Sequence, residues 1–151
     1  MINSNSKTIH YCIALLFFVM MPAFSAETKP WDGQAALKLS DQLYSASRKL
    51  NTECRASPKY TGSMSTDSSG HLEFRYHVRH FMSVTRELSE SLESGADKAQ
   101  TQPIYNESVK IMTDLKKYAG GLQPTAWPLV VNAVSDAEAI QHQLGDYYSQ
   151  E

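Results

Sequence analysis

The side chains with the clearest capacity for chemistry are Glu73, His77 and His80, at i, i+4 and i+7. On a helix that spacing sets a carboxylate and two imidazoles along one side, and these are ligand types for zinc or copper. Cys54 is a possible fourth donor, because two antiparallel helices would bring it near the start of the helix that carries His71 and His77. On the other flank of that helix Arg75, Arg79 and Arg86, spaced by four and seven, form a ridge able to take an anionic partner or ligand.

Other chemistries lack their residues. No Cys-x-x-Cys-His occurs, so the thiols for covalent haem attachment are missing. No repeated Glu-x-x-His builds a di-iron site, and no Gly-x-Ser-x-Gly elbow presents a nucleophilic serine. The expectation is a protein that is not an enzyme.

The elements that position these residues follow from apolar spacing. Ala36, Leu39, Leu43, Ala46, Leu50 and Cys54 recur at steps of three and four, predicting a helix over about 32–54, with Asp32 as N-cap and Trp31 stapled back onto Ala36. Phe74, Val78, Phe81, Thr85, Leu88 and Leu92 give an unbroken 4-3-4-3-4 pattern over about 72–94, ending at Gly95 as C-cap. A third helix over about 102–120 holds Pro103 in its first turn and buries Ile104, Val109, Ile111, Met112, Leu115, Tyr118 and Leu122. A fourth over about 126–148 buries Val130, Val134, Ala137, Ile140, Leu144 and Tyr148. No period-two stretch competes, so the fold class is all-α. The two short connections favour an up-down-up-down four-helix bundle. The remaining connection, 55–71, is rich in Ser, Thr and Gly and reads as a mobile loop.

These phases weigh the candidate site. At about 100° per residue, His77 lies about 60° from the inward direction set by Phe74 and Val78, while Glu73 and His80 lie about 100° and 120° away. That describes a boundary histidine with solvated neighbours; the metal set of Glu73, His77, His80 and Cys54 stands as the alternative. The arginines read as a solvated face paired with nearby acids. Glu138 and His142 form an i, i+4 pair that the wheel places on the outer side of the fourth helix, at the far end of the bundle from His77. Cys54 continues an apolar stripe as a small core residue.

Residues 1–25 read as a cleaved signal peptide. A polar stretch with Lys7 runs into the apolar block Tyr11–Met21, and Ala23 and Ser25 precede a cleavage point before Ala26. That block is well short of the about 20 apolar residues a spanning helix needs. Residues 26–151 then form the four-helix bundle domain. Removing 25 of the 151 residues takes away Lys7 alone among the charges, so 14 Lys and Arg against 16 Asp and Glu becomes 13 against 16, a net of −3. That balance disfavours nucleic acid.

In layout the mature chain resembles the exported four-helix bundles of the cytochrome b562 kind, which hold haem between a methionine of the first helix and a histidine of the last. The first helix here has no methionine and His142 faces outward, so neither axial ligand carries over. The reading is an exported, periplasmic or secreted, non-enzymatic binding or structural module without a cofactor. Its partner is another envelope protein, and a homo-oligomer is compatible with the sequence. The alternative is a small carrier of haem b or a transition metal using His77 and His80.

Overall fold

A computed structural model describes residues 30–56, 68–120 and 128–149. The described residues hold four α-helices and no strand: α1 (Gly33–Ala56), α2 (Ser68–Glu93), α3 (Lys98–Gly120) and α4 (Pro128–Tyr148). The expected signal peptide and most of the expected loop at 55–71 lie outside the described residues. The ends of that loop, 55–56 and 68–71, belong to α1 and α2.

Each helix packs on its neighbours in sequence, and α1 also packs on α4, closing a four-helix ring; α3 and α4 are the least intimately packed pair. Trp31, just before α1, meets Tyr148 at the end of α4 with ring centroids 5.3 Å apart, while Lys49 reaches Asp136 at 3.0 Å. Asp41 accepts from Ser89 and Ser47 from Thr85 across the α1–α2 seam. Glu73 accepts from Tyr118 across the α2–α3 seam.

The helix ends follow local chemistry. Asp32 caps α1, its Oδ1 accepting from the backbone N–H of Gln34 (3.0 Å) and Ala35 (3.1 Å). The Trp31 ring packs edge-on to Tyr148 and against the core cluster that includes Ala36. At the end of α2, Gly95 takes φ 89°, and the N–H groups of Gly95 and Ala96 bond the carbonyls of Leu92 and Ser91, each at 3.0 Å. This Schellman closure needs the left-handed conformation that glycine adopts at no steric cost. Two residues on, Asp97 and Gln100 form a reciprocal capping box, each side chain accepting from the other's backbone N–H at 2.9 Å. That box starts α3 at Lys98, ahead of the apolar pattern, so Pro103 lies beyond the first turn and not within it as the sequence predicts.

The core follows heptads. In α2 all six expected residues from Phe74 to Leu92 are buried. In α1 the buried line is Ala36, Ser40, Leu43, Ser47, Leu50 and Cys54, so Ser40 and Ser47 take the places expected of Leu39 and Ala46, which are only partly buried. Val109 of α3 is exposed and Ile104, Tyr118 and Ile140 are partly buried, whereas Thr101, Ser108 and Gln141 are buried.

The buried polar groups satisfy one another by short relays. Thr85 Oγ1 donates to Ser47 Oγ (3.0 Å), which donates to the Tyr44 carbonyl (2.7 Å). Gln141 Nε2 donates to Ser108 Oγ (3.0 Å), which donates to the Tyr105 carbonyl (2.7 Å). Tyr148 Oη donates to Thr101 Oγ1 (2.8 Å), which donates to the Asp97 carbonyl (2.8 Å). A hydroxyl can be buried cheaply only when its own helix or its neighbour completes its bonds, and each relay does so.

Candidate functional site

On the α2–α3 seam the sequence-predicted donors are drawn into separate contacts. Tyr118 donates its hydroxyl to Glu73 Oε2 at 2.5 Å. That bond to a carboxylate, with burial and the charges of Glu73 and Asp114 adding, holds the Tyr118 phenol above its ordinary pKa. The His77 ring stacks on Tyr118 with centroids 5.3 Å apart and planes 28° apart, and Tyr76 sits edge-on to His77 at 5.6 Å. His80 Nε2 lies 4.0 Å from Glu107 Oε1, too far for a hydrogen bond. Cys54 is buried in the α1 stripe. Among the described residues no three His, Cys, Asp or Glu side chains come together in a geometry that could hold a metal ion. His77 Nδ1 is buried and has no hydrogen-bond partner among the described residues.

Of the arginines, Arg86 Nε donates to Glu90 Oε1 at 2.7 Å one turn on, and that bond raises its pKa above the ordinary value. Arg79 is exposed and Arg75 half-buried.

A groove of about 450 Å³ lies between α3 and α4, which pack less closely than the other adjacent helices. Tyr105, Val109 and Met112 of α3 line it opposite Gln141 and Gly145 of α4, with Lys116, Glu138, His142 and Asp146 at the rim. Lys116 pairs closely with Glu138, and His142 Nε2 lies 3.7 Å from the same carboxylate. Along α4 the lining runs from Glu138 to Asp146, about 12 Å of helix at 1.5 Å per residue, with Ser149 just past the helix end. Glu138 pairs with Lys116 on the α3–α4 seam, whereas His77 stacks on Tyr118 on the α2–α3 seam, so the two do not share a site.

One end of this groove is rigid. Tyr105 stacks on Tyr148 at 4.2 Å with planes 3° apart, and its hydroxyl lies against Gly145 so closely that a Cβ there would fall 2.7 Å from the oxygen. Burial raises the pKa of both phenols, helped at Tyr105 by the Asp146 charge and opposed at Tyr148 by its bond to Thr101. Searches against protein-family models, curated proteins and solved structures find no match for this chain.

Sequence spacing did not single out Tyr105, Val109, Met112 or Lys116 as a surface. One signal was present: a glycine inside a helical pattern, Gly145, marks a close approach by another group.

Proposed function

We propose that this chain is an exported, non-enzymatic helical binding module of the cell envelope, an up-down-up-down four-helix bundle that meets a partner protein through the α3–α4 groove. The observation that carries this reading is the contrast between interior and groove. Inside, three hydroxyl relays satisfy six buried polar side chains from one helix to the next, the behaviour of a scaffold. Between α3 and α4, by contrast, the exposed Val109 lies over the nearly fully buried Met112 and beside Lys116, Glu138, His142 and Asp146, an apolar floor with a mixed-charge rim. A groove of that kind suits a protein surface of complementary pattern better than a highly charged polymer such as nucleic acid. The opposed helix directions are supported by Trp31 meeting Tyr148 while Lys49 meets Asp136. Export rests on the sequence of residues 1–26, with the periplasm as the compartment.

A photo-crosslinking side chain at Val109, with the exposed Gln34 as control, tests this in the native host. A discrete adduct with one envelope protein from position 109 and none from 34 is the expected result. Equal labelling from both positions, or from neither, overturns it. The second reading, a carrier of haem b or a transition metal, is favoured by one feature, the unpartnered Nδ1 of His77. A Soret band or about one metal ion per chain in protein isolated from its host, lost on His77→Ala with His80→Ala, would put that reading first.

A further inference from the structure

Charge is distributed along the bundle, not around it. The buried pairs Ser47–Thr85 and Ser108–Gln141 cut the four helices near their middles. On the side where α1 and α3 end and α2 and α4 begin (48–56, 68–84, 109–120 and 128–140), eight Lys and Arg stand against five Asp and Glu, a net of +3. On the other side the described residues hold three Lys and Arg against eight Asp and Glu, a net of −5.

Exposed apolar side chains follow the same axis. Leu72, Tyr76 and Leu129 are 63%, 59% and 62% exposed; Leu72 and Tyr76 lie in the second and third turns of α2 and Leu129 in the first turn of α4, all within the basic half. The fourth large exposed apolar residue, Val109, belongs to the groove. Leu72 and Tyr76 are i and i+4 on one face of α2, with Arg75 and Arg79 interleaved.

We infer that this end of the bundle docks on an anionic lipid surface, the cations reading headgroup charge and Leu72, Tyr76 and Leu129 inserting at the headgroup boundary. Cationic charge draws a protein to anionic lipid within a Debye length, and apolar tips then add area buried in the interface. Tyrosine suits that depth, having an apolar ring and a polar tip. A second copy of the chain offers complementary charge in its acidic half. That half, however, exposes no large apolar side chain among the described residues to receive the two leucines and the tyrosine. No helix among the described residues is long and apolar enough to cross a membrane, so docking here is contact with a surface. Leu72, Tyr76 and Leu129 do not line the α3–α4 groove, so this inference and the groove reading can fail independently, although Lys116 belongs to both.

The test is co-sedimentation of the full chain with phosphatidylcholine vesicles, with and without phosphatidylglycerol. Leu72→Gln with Leu129→Gln, and Arg79→Gln with Lys117→Gln, are examined beside the unaltered chain, all checked for helicity. All four positions are exposed, so folding should persist. Binding to the anionic vesicles alone is expected, at least tenfold weaker in either double variant and lost when salt shortens the Debye length to about 3 Å. Equal binding to both vesicles, no binding, or binding that neither variant weakens overturns the inference. Association carried by the apolar block at 11–21, in a chain that retains it, would give the first and last of these results. Self-association in the absence of vesicles, abolished by the charge variant, with no vesicle binding, would assign the basic end to a second copy instead.

Discussion

Replacing Gly145 by alanine sets two effects of opposite sign against each other. A glycine within a helix gives away about 1 kcal/mol relative to alanine, so at an open position the change stabilises. At 145 the new Cβ would fall 2.7 Å from the Tyr105 hydroxyl oxygen, where ordinary contact begins near 3.4 Å. The ring cannot swing freely aside, because it is stacked on Tyr148, which is itself tied to Thr101 at 2.8 Å. Forcing such a filled site to give costs about 1–3 kcal/mol, enough to cancel or exceed the propensity gain. Gly145→Ala should therefore leave stability unchanged or lower it by up to about 2 kcal/mol. Tyr105→Phe removes the offending oxygen, and the nearest ring carbon, 3.9 Å away, is in ordinary contact. In that background the same substitution should stabilise by about 1 kcal/mol. The double-mutant cycle, read from urea unfolding followed by helical circular dichroism, should give a coupling of about 1–3 kcal/mol. A coupling below about 0.3 kcal/mol would refute the close approach and the rigid groove end with it.

Leu88→Ala and Ile111→Ala, at fully or nearly fully buried positions, should each cost about 2–5 kcal/mol in chemical denaturation. His77→Phe keeps the stack on Tyr118 and removes a buried nitrogen without a partner, so it should raise stability by about 1 kcal/mol; a loss of that size would mean that His77 has a bond the fold depends on. Tyr105 and Tyr148 hold their protons more tightly folded than unfolded. Above about pH 10 the unfolded chain sheds these protons first, so the melting temperature should fall there and be flat with respect to these groups below it. Tyr105→Phe combined with Tyr148→Phe should reduce that alkaline fall, as scanning calorimetry would record.

Helix phase was legible wherever apolar residues alone carried it. Phe74 to Leu92 marks the buried face of α2 residue by residue, and Gly95 its end. Phase misled where small polar residues do the packing. Leu39 and Ala46 look like core, but the heptad puts Ser40 and Ser47 inside, since a serine that bonds back to its own helix turn occupies little volume and leaves no donor unmet. The start of α3 lay in a capping signal, Asp97 and Gln100, outvoted by the weak apolar pattern beside it. His77 and His80 are half-buried and Glu73 is exposed, and a wheel for one helix carries no knowledge of Tyr118 on the next, which engages both Glu73 and His77. The groove was out of reach for the same reason, because it exists only through the looser packing of α3 on α4.

The serines of α1 have a consequence for alignment. Ser47 repeats Ser40 and Leu50 repeats Leu43 at seven residues, so sliding α1 along α2 by one heptad, about 10.5 Å, exchanges like for like. In one such slide Ser40 would meet Thr85 as Ser47 does now and Leu43 would take the place of Leu50, but Ala36 would stand where Leu43 fills the core. The edges would change as well. Opposite Ser89 the slide replaces Asp41 with Gln34, and opposite Asp136 it replaces Lys49 with Gln42. The middle of α1 thus works like the evenly spaced teeth of a rack, and the choice of tooth falls to the size step from Ala36 to Leu43 and to Asp41 and Lys49.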